Sequence, residues 1–205
     1  MSEPLSPSQE ALVALSAALA ARDPAALDEA LGRAAKRAEG SEVEEVILQS
    51  YLFLGYPTAL NAFALWRETT GRPAAPPAED AGSWSERGAA VCQAVYAGQY
   101  AGLRANVRRL HPDMERWMVE EGYGKVLGRP GLDLATRELC ITALLAVLDA
   151  PRQLYSHSRG ALNVGVSAEG VVRALELAAE VSDEGARARA AETWAAVRQR
   201  NGQES

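Results

Sequence analysis

Cysteine and histidine are scarce in this chain. Cys92 and Cys140 are the two thiols, and His111 and His157 are the two imidazoles. Two cysteines so far apart make no disulfide framework. With no close cysteine pair and only two histidines, a zinc site is not expected, so no metal is assigned. Each thiol reads as a small buried hydrophobe. A membrane-spanning run is also missing, because the apolar stretch LCITALLAVL covers only residues 139–148, too short for a bilayer. No charged start leads into a long apolar run, so no secretory signal is expected and the cytoplasm is the expected location. There is no glycine-rich phosphate loop and no strand–turn–helix nucleotide motif. The net charge of -6, with both signs interspersed, argues against nucleic acid or an anionic membrane as partner. No segment alternates with period two in branched residues, which argues against strands.

What is present is apolar helix. Hydrophobic residues make up 48% of the chain, enough for a folded core. Alanine is abundant, and it lets helices pack closely. The fold class expected is all-α.

Residues 9–21 read as a helix of Ala and Leu. Asp23 caps a second helix with Pro24 at its first position. That helix, over 24–38, puts Leu27, Leu31, Ala34, Ala35 and Ala38 on one stripe. Gly40 ends it, and Ser41 with Glu44 reads as a capping box for the next. Gly55-Tyr56-Pro57 then predicts a break or kink, followed by helix over 57–68. Residues 69–83 are proline-rich and aperiodic, and read as an exposed connector. Helix returns over 84–109, with a break near Gly98. A short helix opens at Asp113, and Gly122 and Gly124 loosen its end. Two further helices follow: Ser167 caps one running to about 181, and the other spans about 184–199. The expected organisation is therefore an N-terminal helical half (1–68), the connector (69–83) and a C-terminal helical half (84–205).

The stretch 128–165 organises the second half. It reads as a helix start, a long buried helix, a turn at Asp149-Ala150-Pro151, and a helix carrying His157. Residues 33–50 also align with 158–175 at a constant offset of 125, placing Gly40 on Gly165, Glu44 on Glu169 and Val46 on Val171. Duplication is one reading of this match, and chance similarity between helical sequences is the other. The offset puts Gly32 opposite His157.

His157 is the sharpest candidate for chemistry, because imidazole exchanges protons near neutral pH. It lies in a polar patch, Tyr155-Ser156-His157-Ser158-Arg159. A histidine at the edge of the core, satisfied by one hydrogen bond, fits the same pattern. Glu138 opens an apolar helix, where a carboxylate is favoured by the helix N-terminus alone. If the turn folds the two helices together, Glu138 can orient the imidazole. Arg137 and Arg159 could hold a substrate carboxylate or be paired on a surface. Tyr51, Tyr56, Trp117, Tyr123 and Tyr155 could line a pocket or fill core and interface.

Taken together, Arg129-Pro130-Gly131-Leu132, Arg137-Glu138-Leu139, His157, and Ala161-Leu162-Asn163 with Gly165 resemble the carboxymuconolactone decarboxylase family, which includes the AhpD-like alkylhydroperoxidases. The resemblance is tightest over 122–175. Gly40, Glu44-Glu45-Val46 and Tyr51 through Pro57 resemble a second piece of the family pattern, displaced into the first half. The unit therefore looks permuted or duplicated, and Tyr51 and Tyr56 are expected to approach His157 within a subunit or across an interface. The peroxidase branch carries a cysteine pair 12 and 15 residues after the glutamate. Here those positions hold Ala150 and Gln153, so thiol peroxidase activity is not expected.

The resemblance implies an AhpD-like helical bundle and a homo-oligomer, trimer or hexamer. It implies a cofactor-independent, decarboxylase-like lyase acting on a small carboxylated lactone or related acid. His157 and Glu138 would be catalytic, with Tyr51, Tyr56, Tyr123 and Arg159 binding substrate. Another cofactor-independent proton-transfer enzyme, or a non-catalytic helical oligomer or ligand-binding protein, stands as the alternative.

Overall fold

The computed structural model describes residues 4–73 and 83–204. Among the described residues every regular element is helical, so the protein is all-α. In order they are α1 (Pro7–Ala21), α2 (Pro24–Arg37), α3 (Gly40–Thr70), α4 (Trp84–Tyr96), a 3-10 turn (Ala97–Gln99), α5 (Tyr100–Leu110), α6 (Pro112–Trp117), a π-helix (Met118–Leu127), α7 (Leu134–Val147), α8 (Pro151–Asn163), α9 (Ala168–Ala179) and α10 (Glu184–Glu204). The arrangement is consistent with the AhpD-like bundle implied by the resemblance.

The core is built on α1 and α7. Ser6 and Gln9 cap α1 reciprocally, and Pro7 starts it. Its residues from Ala11 to Ala20 are buried on nearly every side. Alanines along it let α2, α3, α7 and α9 approach closely. The Ser16 hydroxyl donates to the Cys140 carbonyl at 2.8 Å, tying α1 to α7. Helix α7 is buried from Thr136 to Ala146. Asp133 caps it, accepting from the Thr136 amide at 2.9 Å and the Thr136 hydroxyl at 2.7 Å. The hydrophobic cluster around these helices takes residues from both sides of the connector, from Leu5 to Ala190.

Several local expectations hold, and three need correction. Asp23 caps α2 and Pro24 is its first residue. Ser167 caps α9. The chain bends at Gly55, whose φ of 78° and ψ of 166° interrupt α3 just before Pro57. A left-handed φ of this kind suits glycine. The cap of α3 is Glu39 with Glu42, two residues before the expected Ser41–Glu44 box, and Gly40 lies inside the helix. Glu44 instead accepts from Trp66 Nε1 at 3.2 Å and Arg67 at 2.5 Å. Gly122 and Gly124 do not loosen a helix end, because the π-helix runs through both to Leu127. A Cβ on Gly124 would stand 2.0 Å from the Trp84 carbonyl oxygen, and one on Gly88 would stand 2.0 Å from the Val119 carbonyl oxygen. Glycine at both positions lets α4 and the π-helix meet backbone to backbone. Of the expected connector, Thr69 and Thr70 finish α3, while 74–82 lie outside the described residues.

Candidate active site

Helices α7 and α8 fold back on each other through Leu148–Ala150. Asp149 takes a left-handed φ of 56° there, and Arg189 of α10 holds its carboxylate at 2.6 Å. This hairpin places the imidazole of His157 on Glu138, with Nδ1 and Oε2 2.8 Å apart. Both side chains are buried: Glu138 is 0% exposed and His157 7%. A buried carboxylate on one ring nitrogen fixes the tautomer, so Nδ1 carries the proton in the neutral ring and Nε2 is left for other work. The second carboxylate oxygen of Glu138, Oε1, is buried with no protein hydrogen-bond partner.

Three elements close around the pair. Phe53 of α3 meets the His157 ring edge-on at 6.0 Å, and Tyr96 of α4 does so at 6.5 Å. Tyr123 of the π-helix hydrogen-bonds Tyr96, hydroxyl to hydroxyl, at 3.0 Å. Gly160, one turn after His157, makes the α4–α8 contact possible. A Cβ there would lie 2.6 Å from Val95 Cγ1 and 3.0 Å from Glu138 Oε2. Asn163 then donates to the Val95 carbonyl at 2.8 Å, fixing the two helices in register. Burial pushes the Tyr96 and Tyr123 phenols well above their ordinary value, with the charge of Glu138 adding to the effect. Both hydroxyls therefore keep their protons at neutral pH. Cys92, one turn before Tyr96, is buried in the same region, and burial pushes its thiol up to about 12. It is a neutral thiol, not a nucleophile.

The expected site residues do not all gather here. Tyr123 reaches the pair through Tyr96. Tyr51 and Tyr56 stack on each other at 5.0 Å, and the Tyr51 hydroxyl donates to Glu121 at 3.0 Å. Lys125 stands over the Tyr51 ring at 5.8 Å. The α3 residue at His157 is thus Phe53, two positions from Tyr51, while Tyr56 is exposed beyond the kink. Arg159 is two residues past His157, about 200° round the helix. It lines a cavity of about 230 Å3 together with Val95, Tyr96, Tyr155 and Arg200.

Arg137 is paired inside the protein. It is 0% exposed and each guanidinium nitrogen donates: to Glu45 Oε2 at 2.8 Å, Gln49 Oε1 at 3.2 Å, the Leu132 carbonyl at 3.2 Å and the Arg129 carbonyl at 3.1 Å. Arg129 also binds Glu45, at 3.1 Å. The Arg-Pro-Gly-Leu and Arg-Glu-Leu pieces therefore anchor α7 to α3. Trp117 is half-exposed, and Tyr155 lies on the cavity side of α8.

Phe53, Tyr96, Val95 and Gly160 were not singled out by sequence reasoning. The available signal was the buried stripe of α4, where Tyr96 follows Cys92 by one turn. Among the described residues no group of three or more His, Cys, Asp or Glu is placed to hold a metal. No described helix is long and apolar enough to cross a membrane.

The model of the carboxymuconolactone decarboxylase family matches residues 112–196. The matched stretch contains Tyr123, Arg137, Glu138, His157 and Arg159, whereas Phe53 and Tyr96 lie outside it. No curated protein matches the chain.

Proposed function

Starting from a segment of the carboxymuconolactone decarboxylase family at residues 112–196, we propose that this protein is a cofactor-independent, decarboxylase-like lyase acting on a small carboxylated lactone or related acid. The observation that carries the reading is the buried His157–Glu138 bond of 2.8 Å within that segment. Loss of carbon dioxide breaks the bond between the carboxyl carbon and its neighbour. The electron pair left behind delocalises into the conjugated lactone as a dienolate, so no electron-sink cofactor is required. Protonated His157 delivers a proton from Nε2 to the dienolate carbon and recovers one from solvent. Glu138 holds the ring and stabilises the imidazolium between these steps.

Arg159 offers a positive charge to a substrate acid from the cavity side of Tyr96. Tyr56 is 60% exposed, and its contribution would come across an interface between copies. We infer a homo-oligomer, trimer or hexamer, on the family resemblance together with the exposed apolar residues Leu60, Leu110, Met114 and Trp117. A cytoplasmic location fits two free, buried thiols. Thiol peroxidase chemistry has no support in Ala150, Gln153 or the neutral Cys92.

The test is turnover of a panel of small carboxylated lactones and β-keto acids by the parent protein and by His157→Ala. Conversion by the parent should fall on the order of 10²-fold or more in the variant. Equal turnover in both would remove His157 from the reaction. Sizing at several concentrations that shows only monomer would overturn the oligomer.

A further inference from the structure

Beside the His157–Glu138 bond stand a buried acceptor without a protein partner and a partly buried phenol with a proton to spare. The acceptor is Glu138 Oε1, in a side chain with no exposure and without a protein partner. The donor follows from counting protons. Tyr96 and Tyr123 have two hydroxyl protons and one hydrogen bond between them. Tyr123 is the deeper phenol, at 4% exposure, and it donates to Tyr96. The remaining proton is therefore that of Tyr96.

Donor and acceptor belong to the same small region. The charge of Glu138 is felt by both phenols. Tyr96 and Glu138 both flank His157, one against the ring edge at 6.5 Å and the other on Nδ1 at 2.8 Å. Tyr96 also forms part of the wall of the 230 Å3 cavity, which gives small molecules a route to it. A buried carboxylate oxygen is costly to leave unbonded.

We propose that Tyr96 Oη and Glu138 Oε1 together hold one small protic group next to the imidazole of His157: a water molecule in the ligand-free protein, and the enolic or carboxylic O–H of the substrate in the complex. A group with one proton to give and one lone pair to offer satisfies both atoms at once. A fully ionised carboxylate cannot, because it has no proton for Glu138. The preferred ligand thus carries an enol or a second, un-ionised acid group, distinct from the carboxylate that leaves as carbon dioxide. Tyr96 becomes a catalytic residue outside the family-matched segment, donating to the oxygen on which charge develops. Its hydroxyl is supported from behind by Tyr123, which acts as a positioning residue. The substrate half of this inference rests on the lyase reading, whereas the water half does not.

Two measurements separate these halves. The first is a crystal structure of the unliganded protein, at a resolution that shows ordered water, and of Tyr96→Phe. The parent should show one water bonded to both Tyr96 Oη and Glu138 Oε1. In Tyr96→Phe that water should be lost or displaced while the Glu138–His157 bond persists. A protein group bonded directly to Oε1, or no water there, would overturn the inference whatever the enzyme does. The second is turnover of any substrate the parent accepts. Tyr96→Phe should lower kcat by about tenfold to a hundredfold with a smaller change in KM, and Tyr123→Phe should lower it less. Unchanged kcat in Tyr96→Phe would overturn the catalytic role. If the parent accepts no substrate, the lyase reading fails and the water still decides the site.

Discussion

Arg137 and Glu138 are neighbours in sequence, both buried without exposure at the start of α7, yet they are used in opposite ways. Arg137 looks toward α3 and the loop before α7, where two side chains and two carbonyls satisfy it. Glu138 looks toward α8, where one oxygen is bound to His157 and the other has no protein partner. A saturated buried charge is structural. A half-satisfied one, next to a group that exchanges protons, is what a reacting site requires.

That contrast can be broken from either side. Arg137→Met removes one charge of a buried network and leaves Glu45 with Arg129 alone. Denaturant unfolding should show a loss of about 3–5 kcal/mol. Gly160→Ala forces a methyl into Val95 and the Glu138 carboxylate, and should cost about 1–3 kcal/mol in the same measurement. It should also lower turnover by shifting Glu138. Glu138→Gln keeps the shape of the side chain, so its unfolding free energy should change by only about 1 kcal/mol. Turnover should nevertheless collapse, which would place Glu138 on the functional side of the comparison and Arg137 on the structural side.

Acid and alkali sharpen the same division. Glu44 lies below the ordinary carboxylate value because Arg67 hydrogen-bonds it, and Glu115 does so because Arg108, with Arg104, binds it. Depressed carboxylates contribute stability that is complete above the unfolded value of 4.5 and is lost as pH falls through the folded value. The raised phenols Tyr96 and Tyr123 act in reverse: their contribution is complete below 10 and fades as pH rises beyond it. Thermal unfolding should therefore shift downward at both extremes, with Tyr96→Phe reducing only the alkaline arm. The smallest effect concerns the thiols. Cys92 and Cys140 are buried and un-ionised at neutral pH, so a thiol reagent should label neither until the chain unfolds.

How far the sequence announced this arrangement depends on where each signal is written. Caps and kinks are local, so Asp23-Pro24, Ser167 and Gly55-Tyr56-Pro57 could be read directly. The Glu138–His157 pairing was also legible, because a short turn joins two helices whose spacing brings position 138 to 157. Helix α1 gave no such signal. With alanine and leucine on nearly every side it has no polar face, and only packing shows that it is central. Glutamate is an uncommon N-cap, so Glu39 was passed over for Ser41. The π-helix has no compositional mark, and two glycines in it read as looseness when they are points of close backbone approach. Phe53 and Tyr96 meet His157 only because α4 packs onto α8 and α3 brings Phe53 to the ring, a fact held in no single stretch of chain. Arg137 read as a possible ligand because its partners Glu45 and Gln49 lie more than eighty residues away.

The most direct test of the central claim is the nitrogen NMR spectrum of the His157 imidazole in its neutral form. The Glu138 contact is expected to hold the proton on Nδ1 and leave Nε2 bare for proton transfer, with a mixture of tautomers in Glu138→Gln. In the neutral ring, a proton found on Nε2 instead of Nδ1 would contradict the account, because Nδ1 would then have no hydrogen to give Glu138 and the carboxylate would not hold the ring.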